Sequence, residues 1–196
     1  MNCSREINCA MKITALIALA FGTSVIAAPA PSFRNQVQPI LAKFGCSTGA
    51  CHGAAAGQGG FKLSLLGYDH IGDQLAIARA ANGRRIVVED PARSLLLLKA
   101  TKTVPHKGGE KIKSGSREYQ ILADWIAGGA PGPQSSDPNI QRIEITPSHA
   151  TLKPGATLPL KVTAFFDNGA SEDVTRWVKY TAGNNAVATV DDVGNV

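Results

Sequence analysis

Two cysteines and a histidine stand close together in the stretch CSTGACHG, residues 46–53. Three kinds of chemistry use such a group: thioether attachment of a haem, formation of a disulfide, and metal binding. In the usual haem c attachment pattern two residues separate the cysteines, and the histidine that follows the second cysteine ligates the iron. Here four residues separate Cys46 from Cys51, while His52 keeps its place after the second cysteine.

Each of these chemistries makes a different demand on the chain. For haem attachment, the small residues of the insert can bulge outward and leave the second cysteine beside the histidine. A Cys46–Cys51 disulfide is the main alternative, because cysteines of exported proteins are commonly oxidised. Zinc would need a fourth ligand besides the two thiolates and His52, and the candidates for it are His70 and His106.

The N-terminal part of the chain has the pattern of an export signal. Residues 11–30 read MKITALIALAFGTSVIAAPA, with one lysine, an apolar run and then small residues. Cleavage is expected near Ala27 or Ala28, so that residues 1–28 form the signal. The apolar run is shorter than the roughly 20 residues of a membrane-spanning helix, so no membrane span is expected after signal removal. We therefore predict an exported protein, periplasmic or at the cell surface.

The elements that position the cysteine motif are predicted to be short helices. Apolar residues recur at helical spacing in four segments: residues 32–44, 73–81, 91–100 and 116–127. Ser32 and Ser116 are the expected N-caps of the first and last segments, and Pro39 is expected to kink or shorten the first. Residues 53–69 are glycine-rich and predict a loop. Residues 101–115 predict a second loop, which carries His106.

The pattern changes after residues 131–139, PGPQSSDPN, which have the composition of a linker. Short runs rich in β-branched and aromatic residues follow, separated by turn residues: 142–147, 157–166, 175–182 and 186–191. This spacing predicts an all-β sandwich over residues 140–196. The charge balance changes at the same place, from 13 basic and 7 acidic residues over 29–130 to 5 basic and 7 acidic residues over 131–196. Two units with different surfaces are therefore expected.

The second unit resembles the bacterial immunoglobulin-like group 2 domain. The resemblance lies in ITPSHATLKPGATLPLKVTAFFDNGASEDVTRWVKY and in the ending VATVDDVGNV, and it includes a T-L-x-x-G turn and the strand with Trp177. In that family further strands follow the last glycine and valine. The resemblance therefore implies an incomplete immunoglobulin-like sandwich in a longer protein with further C-terminal domains.

The first unit resembles the cytochrome c domain found at the N-termini of large exported multidomain proteins of planctomycete type. Besides the cysteine motif, the resemblance includes V-x-P-I-L at residues 37–41, GQGGFKLSLLGYD, GRRI, PARSLLLLKAT, VPHKGG and a final WIAGGA. It implies an all-α cytochrome c-like domain over residues 29–130 with one haem c per chain. Cys46 and Cys51 would carry the thioethers, and His52 would be the proximal iron ligand.

The distal iron ligand is expected to be a second histidine. Cytochromes of this kind often use a methionine in the loop before the last helix, but Met1 and Met11 leave with the signal and no other methionine is present. His106, in VPHKGG, occupies the corresponding loop position. A solvent-exposed His106, ligation by His70, or a vacant sixth position are the alternatives.

These features predict single-electron transfer through a covalent haem that is tethered to an immunoglobulin-like spacer or adhesion module, and an electron carrier rather than an enzyme. Five lysines around His106 would steer an acidic redox partner: Lys99, Lys102, Lys107, Lys111 and Lys113. Because no aromatic residues are interleaved with them, nucleic acid binding is not expected. The alternative is a non-redox extracellular binding or structural protein with a Cys46–Cys51 disulfide.

Overall fold

The computed structural model describes residues 30–196, and the predicted export signal lies outside them. Residues 30–130 form a unit of short helices joined by long connections, and residues 140–196 contain a small antiparallel sheet. None of the helices in the described part of the chain is long and apolar enough to cross a membrane.

The first helix begins at the predicted cap. Ser32 Oγ accepts a hydrogen bond from the Asn35 amide at 3.1 Å and starts a π-helical turn, Phe33–Val37, which continues as the α-helix α1, Gln38–Lys43. The change of helix type falls next to Pro39, whose ring nitrogen has no hydrogen to donate to the preceding turn. Val37 and Gln38 are both in the right-handed helical region, so the helix runs on through the predicted site of the kink with a change of type.

The middle helices are shorter or shifted relative to the prediction. Helix α2 spans His70–Ala78. Its N-cap is Asp69, whose carboxylate accepts from the Gly72 amide at 2.9 Å. Helix α3, Leu95–Ala100, follows a separate 3₁₀ turn, Pro91–Arg93. Two further 3₁₀ turns are Leu65–Gly67 and Ala81–Gly83.

The last helix of the first unit, α4, Arg117–Ala127, closes the core as predicted. Ser116 Oγ accepts from the Tyr119 amide at 3.2 Å and caps the helix. Trp125 is fully buried and packs against Phe33, with ring centroids 5.4 Å apart. Its indole Nε1 donates to the Pro131 carbonyl at 2.9 Å, so the large aromatic side chain is buried with its polar atom satisfied.

The second unit contains a three-stranded antiparallel sheet in the order β1-β2-β3, with β1 Ile140–Thr146, β2 Lys161–Phe166 and β3 Ser171–Asp173. The two later strands predicted at 175–182 and 186–191 are not formed, and the described residues contain no second sheet. The side chains of Asn184 and Asp191 accept hydrogen bonds from nearby backbone amides and form local turns. Such turns compete with strand pairing.

The segment predicted as a linker lies against the first helix. Arg34 donates to the carbonyls of Asp137 and Pro138, and Asn35 Nδ2 donates to the Pro138 carbonyl at 2.8 Å. The two units also contact each other through the buried Glu118 carboxylate, which accepts from Arg176 Nε at 2.5 Å. The Pro131 carbonyl at the other end of this segment accepts from Trp125, so the segment is held at both ends.

Candidate functional site

The cysteine motif forms a tight turn directly after α1. Gly45 has a φ of +76° and ends the helix, and the Cys46 amide donates to the Leu41 carbonyl at 2.9 Å. The His52 amide donates to the Cys46 carbonyl at 3.0 Å and closes the turn. A Cβ on Gly53 would lie 2.1 Å from the Ser47 carbonyl oxygen, so only glycine fits after the histidine.

The four-residue insert bulges outward in part. Gly49 and Ala50 are exposed, as predicted, but Ser47 is fully buried and its hydroxyl has no hydrogen-bond partner. The Ser47 carbonyl accepts from the Leu66 amide at 2.9 Å, which ties the insert to the next loop. The first residue of the insert therefore belongs to the core and the last two to the surface.

Both cysteines are free thiols, and both are half-buried. Burial raises the pKa of Cys46 to about 11, against the smaller opposing effect of the Lys111 ammonium. Burial therefore favours the thiol form of Cys46 over the thiolate. Cys46 and Cys51 are not joined here by the disulfide that the non-redox alternative includes.

His52 is held by the glycine-rich loop that follows it. Its Nδ1 lies 3.0 Å from the Phe61 carbonyl oxygen, and its ring packs on the Phe61 ring with centroids 4.5 Å apart. Because a carbonyl can only accept, Nδ1 carries the proton and Nε2 has a free lone pair. Burial lowers the pKa of His52, which keeps the ring neutral and able to donate that lone pair.

His106 is arranged in the same way on the second loop. Its Nδ1 lies 2.8 Å from the Gly109 carbonyl oxygen, so its Nε2 also has a free lone pair. The side chain is half-buried, which departs from the alternative of a solvent-exposed loop histidine. Both predicted axial ligands thus have the tautomer that metal binding through Nε2 requires.

The fold brings these two histidines together. Their ring centroids are 6.4 Å apart and their planes differ by 8°. Two imidazoles that share one metal ion, with metal–nitrogen bonds of about 2.0–2.1 Å and ring radii of about 1.2 Å, have centroids at most about 6.4–6.6 Å apart. The two stacked rings are close enough for such sharing.

The other histidines are placed differently. His70 begins α2, and its Nδ1 is buried without a hydrogen-bond partner. His149 lies in the second unit, where its Nδ1 is 3.1 Å from the Ser148 hydroxyl. Of the histidines in residues 30–196, His106 is the one whose ring lies parallel to the ring of His52.

A zinc site does not form from these residues. Across residues 30–196, no three side chains of His, Cys, Asp or Glu converge on a point that could hold a metal ion. Structural zinc needs four protein ligands, so this arrangement does not support it.

Sequence reasoning missed an exposed apolar patch beside the motif. Its five side chains are each at least 48% exposed: Leu65, Leu66, Tyr68, Ile71 and Leu75. The Leu65 side chain comes within 3.9 Å of a Cβ built on Gly49, so the patch borders the cysteine turn. Consecutive leucines in a segment predicted as a loop were the available signal. Exposed apolar side chains grouped in one stretch of the chain are typical of a binding surface.

Sequence reasoning also missed the role of Arg85, which is buried behind His52. Its guanidinium donates to the carbonyls of Ala76, Ala80 and Gly60 at 2.8–3.0 Å. It also lies over the Phe61 ring, 4.6 Å from the centroid. Arg85 therefore fixes the loop whose Phe61 carbonyl and ring hold His52.

The five lysines around His106 divide into two groups. Lys99 Nζ donates to the Pro105 carbonyl at 2.6 Å and supports the loop, and Lys111 is half-buried near Cys46. The other three are exposed: Lys102, Lys107 and Lys113. The loop thus presents three free charges rather than five.

Comparison with known proteins identifies the second unit. Residues 139–196 match the family model of the bacterial Ig-like domain (group 2), in agreement with the sequence resemblance and with the small antiparallel sheet. Domains of this family are typically extracellular or surface-exposed, which supports the predicted export. No curated protein and no solved structure matches the chain. The comparisons give no support to the cytochrome c resemblance of the first unit, and its haem stays a prediction.

Proposed function

We propose that residues 29–130 bind one haem c covalently and carry single electrons outside the cytoplasm, with the Ig-like domain as a spacer or adhesion module. The observation that carries this proposal is the pair of nearly parallel imidazoles, His52 and His106, whose ring centroids lie 6.4 Å apart. When bound, haem would supply reversible one-electron chemistry at its iron.

The residues around this pair fit such a group. Both Nε2 lone pairs are free because both Nδ1 atoms are engaged by carbonyls. The thiols of Cys46 and Cys51 are unpaired and lie in the turn that carries His52. The exposed leucines and tyrosine beside this turn are suited to cover an apolar macrocycle, which water would otherwise contact.

The backbone contacts of the two histidines would tune the site. A carbonyl that accepts from Nδ1–H fixes the ring orientation and increases the basicity of Nε2. Ligation by two histidines gives a lower reduction potential than ligation by a histidine and a methionine, since methionine raises the potential. The proposed domain is therefore a low-potential carrier.

The surface next to His106 suggests the chemistry of the redox partner. The loop 101–115, which carries this histidine, has three exposed lysines: Lys102, Lys107 and Lys113. A positive rim of this kind attracts an acidic partner and raises the association rate, an effect that salt weakens. We expect electron exchange with an acidic partner to slow as ionic strength rises.

The test is to express the full sequence in a host with haem attachment machinery and to measure the mature protein by intact mass and by its reduced pyridine spectrum. The proposal predicts a mass increase of one haem and a c-type spectrum. Cys46→Ser and Cys51→Ser variants are controls that should each lose one thioether. An apo mass lighter by the two hydrogens lost in disulfide formation, without haem absorbance, would instead indicate the non-redox binding protein.

A further inference from the structure

Arg85 places a positive charge inside the helical unit. The residue is only 5% exposed, and a guanidinium stays protonated in folded proteins. Across residues 30–196 no carboxylate forms an ion pair with it. A buried charge without a counter-charge is costly, because little water remains to solvate it. The groups packed around Arg85 must therefore stabilise the charge, and they experience its field in return.

Three backbone carbonyls and one aromatic ring surround this guanidinium. It donates to the carbonyls of Ala76, Ala80 and Gly60 at 2.9, 3.0 and 2.8 Å. It also lies 4.6 Å from the centroid of the Phe61 ring, as in a cation–π contact. All four partners are neutral. They satisfy the hydrogen-bonding groups of Arg85 but leave its net charge uncancelled.

Phe61 connects this charge to His52. The centroid of its ring is 4.5 Å from that of the imidazole, and its carbonyl oxygen is 3.0 Å from His52 Nδ1. Arg85 and His52 thus contact the same aromatic ring. Because Arg85 is buried and His52 half-buried, water and salt screen the interaction between them less than they screen charges at the surface.

We propose that the Arg85 charge raises the reduction potential of the iron that His52 would ligate, a role that rests on the proposed function of residues 29–130. Reduction takes one electron from the redox partner and lowers the positive charge at the iron by one. A fixed positive charge nearby disfavours the oxidised state more than the reduced state. Arg85 therefore offsets part of the low potential expected from two histidine ligands.

The test is the midpoint potential of the haem-loaded protein, measured by redox titration. Arg85→Gln keeps amide donors for the carbonyls but removes the charge, so the potential should shift to a lower value. Arg85→Lys keeps the charge and should keep the potential close to that of the unaltered protein. Arg84→Gln is the matched control, because it removes the same charge from an exposed neighbour. Its shift should be smaller and should disappear at high salt, whereas the Arg85→Gln shift should persist.

Denaturant unfolding of the full mature chain without haem measures the other role of Arg85, the fixing of the loop. Both Arg85 variants should be less stable than the unaltered chain, since each loses hydrogen bonds to the carbonyls. Only Arg85→Gln should also lower the potential. If Arg85→Gln does not fold, Arg85→Lys decides, because a retained potential supports a role of the charge and a lowered potential contradicts it.

Two results would overturn the role of the charge in a haem-loaded protein. One is a potential that falls equally in Arg85→Lys and Arg85→Gln, which would assign the effect to loop geometry. The other is an Arg85→Gln shift no larger than that of Arg84→Gln. A mature chain that carries no haem by mass and pyridine spectrum would overturn the proposed function, and the role of Arg85 with it.

Discussion

Each histidine of the candidate site has one ring nitrogen engaged and one free. The carbonyls of Phe61 and Gly109 hold the Nδ1 protons, and the two Nε2 lone pairs remain for a ligand. Burial lowers the pKa of His52, so protons compete weakly for its lone pair at neutral pH. Each ring thus keeps one nitrogen that a ligand could use.

The role of His106 is tested by His106→Ala in the haem-loaded protein. We expect the low-spin, six-coordinate spectrum to be replaced by a high-spin spectrum, because one axial nitrogen is lost. Absorption and electron paramagnetic resonance spectra measure the change. His70→Ala is the matched control and should leave the low-spin spectrum unaltered. A low-spin spectrum that persists in His106→Ala and disappears in His70→Ala would assign the distal position to His70.

The sequence led to His52 and His106 as predicted ligands, which stay a prediction, but it did not indicate the residue that supports His52. His106 could be selected because the mature chain lacks methionine and because its loop precedes the last helix. Nothing local distinguishes Arg85 from Arg84, yet the first is buried and the second exposed. The difference arises from three carbonyls on separate segments, which only the folded chain brings around one guanidinium.

At the scale of elements, the glycine-rich loop after His52 acts as the platform for that histidine. Gln58 and Phe61 pair across a tight turn, with amide-to-carbonyl distances of 2.9 and 3.0 Å. Gly57 approaches this turn so closely that a Cβ would lie 2.3 Å from the Phe61 carbonyl oxygen. That oxygen is the acceptor for His52, so the packing of this loop and the orientation of the ligand are coupled.

Gly57→Ala tests this coupling, with Gly59→Ala as its control. Both glycines have positive φ, +66° and +59°, but a Cβ on Gly59 meets nothing within 4 Å. Gly59→Ala should cost only the backbone strain, about 1–2 kcal/mol of unfolding free energy. Gly57→Ala should cost more and should also alter the Nδ1–H resonance of His52. Denaturant unfolding and nuclear magnetic resonance measure the two effects, and equal behaviour of the two variants would contradict the coupling.

Elements were predictable from the sequence where local signals and tertiary packing agree. The capping serines 32 and 116 and the apolar faces of the helices they cap lie as predicted. The segment 91–100 was predicted as one helix, but buried Ser94 adopts an extended conformation and accepts from the Val87 amide at 2.9 Å. This hydrogen bond to the preceding segment accompanies the break between the 3₁₀ turn and α3, and helix propensity alone does not reveal it.

At the scale of the molecule, the helical unit and the Ig-like domain form a shared interface. Lys43 Nζ donates to the Val178 carbonyl at 2.6 Å and lies over the Tyr180 ring. Arg117 lies over the Trp177 ring, 5.5 Å from its centroid. The composition of residues 131–139 predicts a linker, but composition cannot reveal whether the segments on either side of it touch.

The ion pair between Glu118 and Arg176 is the polar centre of this interface and should make its stability depend on pH. Burial alone would raise the pKa of Glu118, but hydrogen bonds, chiefly from Arg176, outweigh it and the pKa is lowered. A carboxylate with a lowered folded-state pKa stabilises the fold above its ordinary pKa of about 4.3, and this contribution is lost as the pH falls through the lowered value.

Arg176→Ala should therefore destabilise the protein near neutral pH and much less in acid. The substitution leaves the Glu118 carboxylate buried without its charged partner, which should cost about 1–2 kcal/mol of unfolding free energy. This cost is smaller than for a fully buried ion pair, because the Arg176 side chain is half exposed and water screens its charge. As the pH falls below about 4.3 and through the lowered pKa of Glu118, the difference from the unaltered protein should shrink. Denaturant unfolding at both pH values measures this, with exposed Lys179→Ala as the control. A destabilisation that does not change with pH would mean that Arg176 acts by packing, and that the charge of Glu118 does not hold the two units together.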